Sequence, residues 1–199
     1  RLDRETSGVL LVAKKRSALK NLQDQFRERE TGKTYLALVL GQWPANKRVL
    51  DKPLHKYVLD GGAGDTGAGE RRVKVVGKDD PDGMPSLTLV KVMAASGPAA
   101  DGSRGYSLLE VTLKTGRTHQ IRVHLASEGM PIVGDDKYGE FEKNKALARA
   151  NGVHSLKRMF LHAARFQCKH PVTAEPVDLH AHLPAELLQF LTAVLPDAA

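Results

Sequence analysis

The chain of 199 residues has the length of one domain, and its 41% hydrophobic content is enough for a sizeable core. A net charge of +7 and a pI near 9.5 favour a polyanionic partner such as nucleic acid. No apolar stretch approaches the roughly 18 residues needed to cross a bilayer. The single cysteine, Cys168, excludes an internal disulfide and is typical of the reducing cytoplasm; its apolar surroundings predict a buried structural thiol.

The first eight residues place one carboxylate, Asp3, between two arginines and ahead of a Thr-Ser-Gly turn. The apolar run 9–13 predicts a buried strand, and a strand can aim a carboxylate held on the loop before it. The arginines would favour the charged form of Asp3. On these residues alone, a solvated turn aspartate is the stronger interpretation, because such residues commonly hydrogen-bond nearby backbone N–H groups.

A helix is predicted from a cap at Ser17 to about Arg29. Four cations crowd its start: Lys14, Lys15, Arg16 and Lys20. The helix macrodipole disfavours positive charge there by about 0.3–1 kcal/mol each. The cluster therefore favours contact with phosphate, and a merely solvated basic patch stays open as the alternative.

The remainder is predicted to be rich in strands, with helices inserted singly. Predicted strands cover residues 33–40, 49–54, 71–76, 86–95, 107–114, 159–169 and 176–182. Predicted helices cover residues 118–128 and 144–151, and a third opens at Pro184. A Gly-rich loop at 60–69 and a polar loop at 96–105 are assigned no chemistry. This pattern indicates an α+β domain around a large, mainly antiparallel mixed sheet with flanking helices.

Residue spacing alone predicts neither a functional role for Tyr35 nor a metal site. Tyr35 can point from its strand into a cleft, but a core or edge tyrosine is the simpler interpretation. His119 and His124 are five apart, which does not align them on a helix face, so no metal site is predicted. Asp135-Asp136 is expected to build a turn.

Three stretches carry motifs that occur together in one family. They are Arg1-Leu2-Asp3 followed after two residues by Thr6-Ser7-Gly8, then Lys33-Thr34-Tyr35-Leu36-Ala37, and then the ten residues 115–124, Thr-Gly-Arg-Thr-His-Gln-Ile-Arg-Val-His. They resemble, in order, the signature, tyrosine and arginine motifs of the RluA-type RNA pseudouridine synthases. The likeness is strongest to the RluC-like subgroup that acts on large-subunit ribosomal RNA. It implies the pseudouridine synthase catalytic-domain fold and the isomerisation of uridine to pseudouridine in RNA, without a cofactor.

The resemblance also implies a role for each matching residue. Asp3 would act at the ribose, as nucleophile or as base, and Arg122 would pair with it bidentately and hold it ionised. Tyr35 would stack on the target base and serve in proton transfer at carbon 5. Arg1 would enter the space that a flipped base leaves. Phosphate contacts are expected from the basic residues Lys14, Lys15, Arg16 and Arg117.

Residues 1–199 are predicted to form one catalytic domain, a fragment that lacks N-terminal strands and the separate RNA-binding domain of many family members. We expect a cytoplasmic monomer that acts on ribosomal RNA and not at a membrane. One alternative is a catalytically silent RNA-binding or ribosome-assembly module on the same scaffold, against which the presence of Asp3, Tyr35 and Arg122 argues. Another is a glycoside-cleaving enzyme, which usually needs a second carboxylate as acid, and no convincing partner for Asp3 stands out.

Overall fold

The computed structural model of the chain describes residues 1–59, 70–98 and 102–198. Their strands are β1 (Ser7–Gly8), β2 (Gly32–Leu40), β3 (Val49–Asp51), β4 (Leu54–Leu59), β5 (Glu70–Val75), β6 (Leu87–Ala95), β7 (Tyr106–Leu113), β8 (Leu161–Lys169) and β9 (Pro176–His180). One mixed sheet has the order β1-β8-β2-β7-β6-β3, with β9 also beside β8, and β4 pairs separately with β5. Only the β1–β8 pair among them is parallel. The predicted α+β fold with a large, mainly antiparallel sheet is confirmed.

Helices flank the sheet. The described residues form α1 (Arg16–Arg27), α2 (Gln120–Ser127), α3 (Phe141–Arg149) and α4 (Ala185–Val194), with single 3-10 turns at Gly152–His154 and Pro196–Ala198. The predicted cap at Ser17 is wrong, because Lys15 occupies the capping position and no side chain caps the helix. Within the described ranges, none of the helices has the length and apolar character required to cross a membrane.

The core forms around the second half of β2, where the four side chains of residues 37–40 are at most 2% exposed. Helices α2 and α4 add Leu125 and Phe190 to the same cluster. Cys168 is buried as predicted, and burial raises the pKa of its thiol. Burial of a strand on both faces accounts for the continuous apolar sequence of this part of β2.

The predicted buried strand at 9–13 is wrong. The strand ends at Gly8, and Leu10 and Val12 are 61% and 80% exposed. Two residues of β1 pair with β8, at His162 and Ala163, but from Arg165 onward the same edge of β8 is paired with β9. Residues 9–13 therefore leave the sheet, because the backbone groups that they would need are already bonded.

The strand predicted at 49–54 is divided between β3 and β4, which belong to different sheets. The Gly-rich loop at 60–69 and residues 99–101 of the polar loop lie outside the described residues. The other predicted strands agree with the structure to within two residues at each end.

Gly8 is required where β1 meets β8. Its φ of +115° is one that residues with a Cβ rarely adopt, and a Cβ would overlap the backbone of Ala163. Replacing Gly8 by Ala is expected to lower the free energy of unfolding by more than about 1 kcal/mol, measured by urea denaturation. The matched control is Gly97→Ala, where a Cβ would meet no atom within 4 Å and the change should stay within about 0.5 kcal/mol. Equal stability of the two variants would contradict this account.

Candidate active site

A cavity of about 900 Å³ opens where the loop before β1, the start of β2 and the turn between β7 and α2 meet. Its volume is in the range of sites that hold a small molecule or a nucleotide. Asp3, Tyr35 and Arg122, which the motifs placed far apart in sequence, all line it. Arg1 and Arg117 line it as well. The other predicted phosphate ligands, Lys14, Lys15 and Arg16, do not; they are exposed on the segment that leads into α1 and on its first residue.

The loop that carries Asp3 is held at two points. Arg158 donates from Nη2 to the carbonyl of Glu5 over 2.7 Å, and Glu5 has a left-handed φ of 71°. Ser7 Oγ lies 2.8 Å from Nδ1 of His162, whose Nε2 lies 2.9 Å from the carbonyl oxygen of Ala181. A carbonyl only accepts, so Nε2 carries the proton and Nδ1 accepts from Ser7. Burial lowers the pKa of His162, which favours this neutral form.

Arg122 makes its bidentate pair with Asp135 and not with Asp3. Its Nε and Nη2 lie 2.8 Å from Oδ2 and Oδ1 of Asp135, while Nη1 is 3.5 Å from Oδ2 of Asp3. Nη2 is also 3.3 Å from the exposed carboxylate of Asp136. The bidentate Arg122–Asp3 pair expected from the resemblance is therefore wrong: the guanidinium fork is occupied by Asp135, and one remaining N–H group faces Asp3.

Both members of the Arg122–Asp135 pair remain charged although both are buried. Burial would lower the pKa of Arg122, but its hydrogen bonds to Asp135 and the charges of the nearby aspartates outweigh burial and raise it. Burial would raise the pKa of Asp135, and Arg122 more than offsets this and lowers it. A charged, fixed guanidinium thus stands behind Asp3.

Asp135 also builds the turn that the sequence predicted. Its Oδ1 accepts hydrogen bonds from the backbone N–H groups of Lys137 and Tyr138, at 2.9 and 3.0 Å. Asn144 of α3 donates to its carbonyl oxygen over 2.8 Å. Sequence reasoning identified the turn but missed the ion pair. The one available signal was position, since Asp135 closely follows the apolar Ile132 and Val133.

His119 approaches Asp3 from a second direction, and Tyr138 is hydrogen-bonded to its ring. Nδ1 of His119 lies 2.8 Å from the hydroxyl of Tyr138, and that oxygen accepts a hydrogen bond from the backbone N–H of Val73 over 3.0 Å. We assign the Tyr138 hydroxyl as the donor and Nδ1 of His119 as the acceptor. In the neutral ring, the proton is then on Nε2. Nε2 is 4.0 Å from Oδ1 of Asp3. The two carboxylate oxygens of Asp3 thus face different N–H groups, one from Arg122 and one from His119.

Tyr35 lines the cavity as a neutral phenol. Burial and then the charge of Asp3 raise the pKa of its hydroxyl. No described residue hydrogen-bonds to this hydroxyl, so both the ring and the oxygen are available to a ligand. The arrangement favours stacking against a planar base.

The turn between β7 and α2 is fixed by Gln120. Its Oε1 accepts from the hydroxyl of Thr115 and from the backbone N–H of Arg117, at 2.8 and 3.0 Å. The Nε group of Arg117 donates to the carbonyl of Pro85 over 3.2 Å. The guanidinium of Arg117 is thereby oriented at the cavity wall.

One group of potential metal ligands lies apart from the residues that line the cavity. His55, Asp80 and Asp82 place one ligand atom each within 4.8 Å of one another. Exposed acidic groups often gather without an ion, and we assign no chemistry to this group.

The comparison with known proteins agrees with the fold. The sequence profile of a family described as RNA pseudouridylate synthase matches residues 1–127. This chain belongs to that family. The resemblance inferred from the three motifs is therefore confirmed.

Two curated relatives of this chain are described as ribosomal large subunit pseudouridine synthase C. The Vibrio cholerae protein is 40% identical over 192 residues, which are 96% of this chain and 53% of the relative. The Escherichia coli (strain K12) protein is 44% identical over 181 residues, which are 91% of this chain and 50% of the relative. The chain thus spans about half the length of the curated relatives it matches.

Two solved human structures have the same fold. Human RNA Pseudouridylate Synthase Domain Containing 1 aligns with a TM-score of 0.70 and 29% identity, over 98% of this chain and 69% of that one. Human RNA Pseudouridylate Synthase Domain Containing 4 aligns with a TM-score of 0.71 and 24% identity, over 98% and 74%, and supports the fold alone.

Proposed function

We propose that this protein converts uridine to pseudouridine in large-subunit ribosomal RNA. The observation that carries the proposal is the meeting of Asp3, Tyr35 and Arg122 in one cavity of nucleotide size. The names of the relatives supply the class of RNA. The basic surface supports a polyanionic substrate, and we expect a monomer that works in the cytoplasm.

The chemistry requires one bond to be exchanged for another. The bond between N1 of the base and the ribose breaks, the base turns, and a bond forms from C5 to the same ribose carbon. The proton at C5 is lost and N1 gains one, so atoms and electrons balance, and we expect no cofactor and no metal. Asp3 acts at the ribose, as nucleophile or as base, and Arg122 and His119 face its two oxygens.

The target base needs a place outside the RNA stack. We assign the ring of Tyr35 to hold it, and the free hydroxyl of Tyr35 to proton transfer at C5. Arg1, exposed at the cavity, is placed to fill the gap in the RNA that the flipped base leaves. Phosphates further along the strand meet the exposed cations Lys14, Lys15 and Arg16.

Release of tritium from C5 of uridine in ribosomal RNA tests the proposal. An isomerase liberates the label and leaves the RNA chain uncut and free of abasic sites. An RNA-binding module releases no label, and a glycoside-cleaving enzyme leaves abasic sites. Either of the last two outcomes would overturn the proposed function.

The contact between Tyr138 and His119 predicts a change in pH dependence. Burial holds the pKa of His119 below its ordinary value, although the charge of Asp3 acts in the opposite sense. Tyr138→Phe removes the hydroxyl that donates to Nδ1, so the ring can take a second proton more easily. An imidazolium beside Asp3 would make that carboxylate a poorer nucleophile or base. The acid limb of kcat/KM, followed between about pH 5 and 8, should therefore move to higher pH.

The charges that face His119 are those of Asp3, Arg122, Lys137 and Asp135, and the substitution leaves all of them in place. Tyr57→Phe is the matched control, because Tyr57 makes no described contact with the cavity. Its pH profile should coincide with that of the wild type. A Tyr138→Phe profile that also coincides would show that the hydroxyl does not govern the protonation of His119.

A further inference from the structure

One side of the cavity carries positive charge that no described carboxylate neutralises. Arg29, Lys33 and Arg117 line it, and none of them forms an ion pair within the described ranges. Their neighbour Arg27, in contrast, pairs with Asp24 at 3.0 Å. Asp3 is the only carboxylate among the described residues that line the cavity, and it faces Arg122 and His119 rather than these three cations.

Lys33 is the least expected member of this group. Its side chain is partly buried, and burial together with the nearby charge of Arg29 lowers the pKa of its ammonium group. The nitrogen lies 5.9 Å from the ring centre of Phe26. A Cβ added at Gly116 would lie 3.1 Å from the same nitrogen, so the glycine of the β7–α2 turn leaves it room. A partly buried charge without a partner is unfavourable unless a ligand supplies one.

The two arginines differ in how they are held. Arg29 follows the end of α1 with a left-handed φ of 60°, a conformation in which helices commonly end, and its side chain is exposed. Arg117 is fixed through its backbone N–H by Gln120 and through Nε by the carbonyl of Pro85. Its two Nη groups have no partner in the part of the chain that the structure describes. Guanidinium and ammonium groups arranged in this way are suited to phosphate oxygens.

We propose that Arg29, Lys33 and Arg117 form a phosphodiester subsite that binds a backbone phosphate next to the target nucleotide. The inference rests on the proposed RNA substrate. It identifies the part of the cavity that binds the RNA backbone. Lys33 and Tyr35 are two residues apart on β2, on the same side of the sheet and about 7 Å apart along the strand. A base stacked on Tyr35 therefore places its neighbouring phosphate within reach of Lys33.

The test is a double-mutant cycle between protein and RNA. Short strands carry the target uridine and one neutral methylphosphonate in place of a single phosphate, at each position on either side of it. Binding of each strand is measured with the wild type and with Lys33→Gln. At one position the methylphosphonate should weaken binding to the wild type by about tenfold and have little further effect on Lys33→Gln, because both changes remove the same contact.

Control variants separate this contact from general electrostatics. Lys56→Gln removes an exposed cation of β4 that does not line the cavity, and its effect should add to that of the methylphosphonate at every position. Lys33→Arg keeps the charge and should retain the coupling. Arg117→Gln should show coupling at the same phosphate, and it serves as the test if Lys33→Gln does not fold.

Three outcomes have distinct meanings. Additive losses at every phosphate for both Lys33→Gln and Arg117→Gln would overturn the subsite. A second outcome is that inorganic phosphate competes with RNA for the wild type but not for Lys33→Gln, while no position of the strand shows coupling. This would assign the three cations to a free anion and would also overturn the proposal. Coupling at one position without tritium release would support the phosphate subsite and would overturn the proposed isomerase activity instead.

Discussion

Asp3→Asn should lower the rate of pseudouridine formation by about 10⁴-fold or more, as expected for loss of the group that acts on the reacting atom. The substitution keeps the shape of the side chain and removes its charge and nucleophilicity. Affinity for RNA should change little, because the cations that we propose as phosphate ligands are untouched. Tritium release measures the rate, and a filter-binding titration at fixed salt measures the affinity.

Two controls accompany this measurement. Thermal unfolding should give nearly the same Tm for wild type and Asp3→Asn, since Asp3 lies 3.5 Å from Arg122 and the buried partner of that arginine is Asp135. Asp136→Asn removes another carboxylate beside Arg122, one whose side chain is 75% exposed, and should retain activity. Turnover close to that of the wild type in Asp3→Asn would refute the assignment of Asp3.

Asp135→Ala should lower the free energy of unfolding by about 3–5 kcal/mol, because it leaves the buried guanidinium of Arg122 without its bidentate partner. Arg122 is only 5% exposed. Activity should fall as well, since the fork of Arg122 would then be free to turn toward Asp3 or the solvent. Urea denaturation and tritium release measure the two effects.

The matched control is Asp136→Ala. Its carboxylate also lies within 3.3 Å of Arg122, but it is exposed, so the loss should stay below about 1 kcal/mol. The pH dependence provides a second check. The pKa of Asp135 is lowered in the folded chain, so its contribution is complete above the ordinary aspartate pKa and disappears as the pH falls through the lowered value. Equal stability of the two alanine variants would show that Arg122 does not depend on Asp135.

Local pattern was sufficient to predict most of the sheet. Strands β6 and β7 and helix α4 carry their signals within their own sequence, as alternation of apolar residues or as a proline followed by leucines. The residues at the cavity were found in a different way. Asp3, Tyr35 and Arg122 were singled out by their motifs. Without the motifs, the turn sequence had favoured a structural role for Asp3, and strand periodicity had favoured one for Tyr35.

What the sequence could not predict depends on partners that are distant along the chain. Residues 9–13 have the composition of a strand, yet β9 occupies the edge of β8 that they would need. Asp135 resembles any turn aspartate until α2 brings Arg122 against it. His119 was judged only as a metal ligand, because its contact with Tyr138 joins residues of a helix entrance and a loop. In each case the local pattern was compatible with several neighbours, and the fold determined which one is present.

The pairing of β1 with β8 affects the order in which the protein matures. Ser7 and His162 are 155 positions apart, and Arg122 and Asp3 are 119 apart. During synthesis, Asp3 emerges long before any of the groups that fix its direction, and contacts over such separations form late and slowly. In a nascent chain that already contains β2 and α2, the carboxylate of Asp3 is therefore not yet fixed in direction. The cavity becomes a defined site only after β8 has been made, so partly synthesised chains are expected to have no catalytic activity, although their early cations could already contact RNA.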